Sequence, residues 1–107
     1  MKVLITQALS GDAAKFRQKC DKEGKVVILG SADLPIFMLK NPLYVKIPPV
    51  TDTSFAHKIL TVCLDYGINR IYVLNELEMK LLIEAEILFA EYEIEIVGKN
   101  STNANFI

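Results

Sequence analysis

Soft metal ligands are scarce in this chain, which has two cysteines and one histidine in 107 residues. Cys20 and Cys63 lie far apart, no C-x-x-C pair occurs, and His57 stands alone, so no metal site is expected. Thiols without close partners read as buried, reduced core residues of a cytoplasmic protein. No apolar run approaches the roughly 18 residues needed to span a bilayer, and the apolar stretch after Lys2 is far shorter than a signal peptide's core. Positive charge is not in excess either. Lysine and arginine number 12 against 13 acids, with no basic stripe, which argues against a nucleic-acid partner. Glycine is equally sparse. Gly11 is the single glycine of the first loop, so the G-x-G-x-x-G dinucleotide fingerprint of an NAD-dependent reductase cannot be drawn, and no G-K-[ST] marks a P-loop. A phosphoacceptor receiver domain needs acids after its first strand and an aspartate ending its third; Thr6-Gln7 and Ile47-Pro48 stand there instead.

What is present is a hydrophobic share of 51 %, ample for the core of one domain. The segment Tyr44-Val45-Lys46-Ile47-Pro48-Pro49-Val50-Thr51-Asp52-Thr53 organises the reading. A β-type run meets two prolines that no helix or central strand can absorb. Thr51, Asp52 and Thr53 then offer N-caps for a helix over residues 54–66 that ends at Gly67. Either side of it, strands are predicted over 2–6, 25–30, 43–47, 70–74 and 93–97. Helices are predicted over 12–23, stopped by Gly24, and after Asn75, with Leu77, Leu81, Ala85, Leu88 and Phe89 as inner stripe. Glu78 stands three residues beyond Asn75, the spacing of a capping box. Residues 31–39 read as short helical or irregular structure. Alternating strands and helices predict an α/β, Rossmann-like, three-layer domain over residues 1–98. Its five-stranded parallel sheet takes the order 3-2-1-4-5. Residues 99–107 read as a polar tail or the start of a linker, and the abrupt Phe106-Ile107 ending predicts a continuation.

In open α/β sheets, ligands lodge beyond the carboxyl ends of the strands at the switch point. Here that places Thr6, Gln7, Ala8, Ser10 and Gly11 opposite Asn75, Glu76 and Glu78, with Asp33 alongside. Helix N-termini at Asp12 and Asn75 would aim backbone N–H groups at a small carboxylate or phosphate. Ordinary capping accounts for the same residues, and Asp33 reads equally as a turn residue. Glu76 and Glu78 point to different helix faces and make a poor acid–base pair. His57 reads as a surface histidine, and the acids Glu84, Glu86, Glu91, Glu93 and Glu95 as a solvated face. No residue is assigned a catalytic role.

Four stretches carry a family resemblance: Val3-Leu4-Ile5-Thr6 with its small-residue loop, Tyr44–Pro49 followed by Thr51-Asp52, Tyr66-Gly67-Ile68-Asn69, and Asn75-Glu76-Leu77-Glu78. In order and spacing they resemble the N-terminal, pre-ATP-grasp domain of ATP-grasp enzymes. The nearest likeness is to carbamoyl-phosphate-synthase-large-subunit-like proteins and other carboxylate–amine ligases. The resemblance covers residues 2–98. It implies a substrate-side domain that works with a separate ATP-grasp domain, in cis or in trans. ATP and Mg²⁺ would belong to that second domain, which activates a carboxylate as an acyl phosphate and couples an amine to it. The chain departs from the family pattern at Gln7 and Leu9, where relatives often carry glycine and arginine, and at Val73, where they carry proline. Without a loop arginine, the natural bidentate partner of a substrate carboxylate is missing.

Two other readings stand beside this one. The chain is a stand-alone module that binds a small anion or nucleotide at the switch point, or a non-catalytic, Rossmann-like interaction protein that dimerises through a sheet edge or an apolar helix face.

Overall fold

Parallel strands buried on both faces must be apolar throughout, and the first strand meets that demand completely: Val3, Leu4 and Ile5 are 0 % exposed. A computed structural model describes residues 1–98; the expected tail at 99–107 and the expected continuation lie outside the described residues. The order is β1 (Lys2–Ile5), α1 (Gly11–Lys22), β2 (Val26–Ser31), a 3₁₀ turn (Ile36–Lys40), β3 (Tyr44–Lys46), α2 (Phe55–Tyr66), β4 (Arg70–Val73), α3 (Glu76–Ile83), α4 (Glu86–Glu91) and β5 (Glu95–Gly98). The five strands form one sheet in the order β3-β2-β1-β4-β5, and every neighbouring pair is parallel. The expected α/β, Rossmann-like fold is the observed one. Among the described residues, no helix is long and apolar enough to cross a membrane.

Alternation along the strands sorts the core into two layers. Leu4, Ile28, Val45 and Ile71 face Phe55, Ile59 and Cys63 of α2, Leu82 of α3 and Phe89 of α4. Val3, Ile5, Val27, Leu29 and Tyr72 face Ala13, Phe16 and Cys20 of α1, with the Phe16 and Tyr72 rings stacked. Burying one such phenylalanine contributes about 1.5–3 kcal/mol. The α1 layer is thin because the β2–β3 connection forms a 3₁₀ turn, not a second helix. That turn leaves Ile36 and Phe37 exposed. Beside α1 it leaves a groove of about 350 Å³ lined by Ala8, Ala14, Arg17 and Tyr44, among others.

Three local expectations need correction. The long helix expected after Asn75 breaks into α3 and α4 at Glu84 and Ala85. Its innermost line is Glu78, Leu82, Ala85 and Phe89, with Leu81 and Leu88 half-buried against the same core; of the expected stripe only Leu77 points outward, 60 % exposed. The N-cap of α2 is Ser54, whose side chain makes no capping bond. Asp52 acts two residues earlier: its Oδ1 accepts the Ser54 N–H at 2.7 Å, and its Oδ2 pairs with Lys58 Nζ at 2.6 Å. The fifth strand begins at Glu95, two residues later than expected. Glu93 has φ 60°, a left-handed conformation outside the strand region, and it turns the chain between α4 and β5.

Candidate functional site

The carboxyl ends of β1, β2 and β4 meet at one rim, where the sheet order reverses direction at the β1–β4 seam. Thr6 follows β1 directly and holds that seam. Its backbone N–H donates to the Tyr72 carbonyl at 3.1 Å. Its hydroxyl accepts the Leu74 N–H at 3.0 Å and lies 3.4 Å from the Tyr72 carbonyl oxygen. Gln7 follows with φ 56°, a region that non-glycine residues seldom occupy. Ala8 then returns to the sheet, its N–H donating to the Gly30 carbonyl at 3.0 Å. The three loops expected to converge do so.

Helices α1 and α3, which start at this rim, are both capped by side chains. Ser10 Oγ accepts the Ala13 N–H at 3.2 Å. Asn75 Oδ1 accepts the N–H groups of Leu77 and Glu78 at 2.9 and 3.1 Å, which satisfies two donors that a helix terminus otherwise leaves open. Gly11 is exposed, and a Cβ there would meet nothing within 4 Å. Asp33 is exposed in a turn, its N–H held by the Ser31 hydroxyl at 3.3 Å. Glu76 is exposed as well. Of the expected site residues, Thr6, Gln7, Asn75 and Glu78 form the compact group. Ser10, Gly11, Asp33 and Glu76 stand at its margin.

The buried polar side chains among the described residues are Thr6, Ser31 and Glu78, and all of them sit at this rim. Glu78 departs most from the sequence expectation. In place of a capping box, its carboxyl turns into the protein toward Thr6 and Gln7. It is 3 % exposed, and its Oε1 is buried with no hydrogen-bond partner. Burial pushes the carboxyl pKa up from its ordinary value, and hydrogen bonds from the Thr6 and Gln7 side chains pull more weakly the other way. One signal in the sequence points to this burial. Counting back from Phe89 by alternating steps of four and three passes through Ala85, Leu82 and Glu78, so an acid occupies the innermost line of the helix.

The remaining titratable side chains behave as scaffolding. Cys63 is buried in the α2 layer and its thiol is pushed up to about 12 by desolvation; burial raises Cys20 too, with Lys25 opposing it. Neither is poised as a nucleophile. His57 is exposed. At the opposite rim, Lys25 Nζ and Arg70 Nη1 both donate to the Tyr72 hydroxyl, at 3.3 and 3.1 Å. Lys25 also pairs with Glu23 at 2.7 Å and Arg70 Nε with Glu95 at 2.6 Å. The last is a contact of charges, since the Nε–H is not aligned for a hydrogen bond. No family model matches the sequence, and a search of curated proteins finds no match.

Proposed function

We propose that the chain is the substrate-side domain of an ATP-dependent carboxylate–amine ligase, similar to a pre-ATP-grasp domain, and that it works with an ATP-grasp domain in cis or in trans. The observation that supports this is the gathering of the buried polar residues Thr6, Ser31 and Glu78 at the switch point. Polar groups are costly to bury, and their concentration where α/β sheets bind ligands favours a recognition role there. The Rossmann-like strand order agrees with the resemblance carried by residues 2–98. ATP and Mg²⁺ belong to the partner domain in this reading. In this reading the domain supplies recognition and the partner supplies activation.

The test pairs the full chain with the ATP-grasp region encoded beside it or in the same gene. ADP release is followed with mixed carboxylate and amine substrates. Turnover that requires both components is the expected result. Absence of any ATP-grasp coding region nearby, or release indifferent to this chain, overturns the proposal. The unpartnered Glu78 oxygen favours a second reading, a stand-alone small-molecule binding module, which predicts ligand binding without any effect on a partner's turnover.

A further inference from the structure

The β2–β3 connection crosses the same side of the sheet as α1. It forms only the 3₁₀ turn Ile36–Lys40, so α1 has no helical neighbour in its layer. Large apolar side chains of that turn stay in solvent: Ile36 is 82 % and Phe37 74 % exposed, and Leu39 is exposed as well. On the same side of the sheet, the groove of about 350 Å³ is lined by Leu29 and Tyr44 from the strands and by Ala8 and Ala14. Phe37 does not fill the groove of its own chain. Apolar side chains grouped in this way mark an interaction surface.

The charges say what covers it. α1 and the β2–β3 connection both run from the carboxyl rim back toward the amino ends of the strands, because the strands that they join are parallel. In that common direction α1 presents Arg17 and then Asp21 along the groove. The turn has Asp33 before it and Lys40 at its end. The two orders of sign are opposite. A two-fold axis parallel to the strands preserves the direction, and it sets the turn of one copy against the groove of the other, with Asp33 facing Arg17 and Lys40 facing Asp21. Arg17 and Asp21 can change partners at little cost, since their own contact is 3.7 Å long between half-exposed side chains. A net charge of −1 gives two copies little repulsion to overcome. Each copy thus carries both halves of one contact, which is what an isologous dimer requires.

We propose that this face is a dimer interface, in which Ile36 and Phe37 of one copy enter the groove beside α1 of the other, and reciprocally. Those two anchors present on the order of 300 Å² per copy. A stable interface takes about 800 Å² from each partner, roughly one eighth of the 6412 Å² surface of this chain. The polar surround of Arg17, Asp21, Asp33 and Lys40 therefore has to close as well, and the expected dissociation constant lies in the micromolar range. The inference does not depend on the ligase reading.

The test is sedimentation velocity on the full chain, from about 1 to about 500 µM so as to bracket a micromolar constant. A reversible monomer–dimer equilibrium is expected. Phe37→Asp puts a charge where the anchor docks and should weaken dimerisation at least about tenfold. Ile87→Asp, 79 % exposed on α4 across the sheet, should leave it unchanged. Arg17→Glu should weaken the dimer, and adding Asp33→Lys should restore it, a rescue that needs the two residues to meet across the axis. A chain that stays monomeric throughout, a dimer indifferent to Phe37→Asp, an equal loss with Ile87→Asp, or a failed rescue overturns the inference. Growth past the dimer overturns it too, because a contact that does not close on a two-fold axis builds open chains. Should Phe37→Asp lose its far-UV circular dichroism, Ile36→Asp takes its place under the same outcomes. A chain that never dimerises, yet loses partner-dependent ADP release in Phe37→Asp, assigns the face to the ATP-grasp domain and overturns the dimer.

Discussion

Replacing Glu78 by glutamine should make the protein more stable at neutral pH, and the pH dependence of that gain identifies its cause. The carboxylate is 3 % exposed with Oε1 unpaired. Leaving a buried polar group unsatisfied costs about 1–3 kcal/mol, and more when it is charged. Glutamine keeps the shape and removes the charge, though it leaves an amide to be satisfied in the same place. The expected net gain is therefore about 1–2 kcal/mol at pH 7. For a domain of this size, each kcal/mol moves Tm by about 4–8 °C. Burial raises the folded-state pKa of Glu78 above its ordinary value, so between those two values the folded chain binds more protons than the unfolded one. The contribution of Glu78 is then fully present below the unfolded value and lost as pH rises through the folded one. Asp52 and Glu23 run the other way: hydrogen bonds from Lys58 and Lys25 lower their pKa values, and their contributions fade as pH falls. Both acids are present in the two proteins, so subtracting one stability curve from the other isolates Glu78. Urea denaturation from pH 4 to pH 8, read by circular dichroism, should give a difference that is small in acid and grows toward neutrality. A flat difference, or a less stable variant at pH 7, would show that the carboxylate is satisfied in the folded state and that the argument from its burial fails.

Two further outcomes test the packing. Leu82→Ala removes a side chain that is 0 % exposed and should cost about 2–5 kcal/mol, whereas Leu77→Ala, at 60 % exposure, should stay within about 0.5 kcal/mol; urea midpoints decide, and equal losses would restore the original stripe. Cys63, its thiol pushed up to about 12, should resist a thiol-specific chromogenic reagent at pH 8 until the protein unfolds, and fast labelling of the native chain would contradict its placement on the buried face of α2.

The sheet was legible because its evidence is redundant. The runs Lys2–Ile5 and Val26–Ser31 are apolar on both faces, a pattern that only a covered parallel strand satisfies. Handedness of the crossovers then leaves few strand orders. The convergence of Thr6, Ala8, Gly30 and Leu74 at one rim follows from that order alone. Elsewhere the signals were single or absent. No proline or glycine marks the break between Ile83 and Glu86, so nothing local announced it. Glu93 adopts a left-handed conformation at a position where sequence reasoning looks for glycine. By local spacing Glu78 belongs to a cap, because its distance from Asn75 is right for that role. The competing claim came from Leu82, Ala85 and Phe89, whose spacing draws residue 78 into the interior. Local spacing and the tertiary line of the helix disagreed, and the tertiary line prevailed. Conflicts of this kind are expected where a protein accepts a cost for function.

The pairing of β1 with β4 divides the chain in an instructive way. β1, β2 and β3 are consecutive along the chain, as are β4 and β5, and one strand-to-strand junction joins the two groups. Bringing Val3 against Arg70 closes the longest loop in the sheet, the step that chain entropy penalises most. Assembly therefore has a natural order, two locally built halves followed by their zipping along the junction. Thr6, Leu74 and Glu78 lie at its far end, so this polar rim takes shape only when folding is nearly complete, and neither half holds it alone.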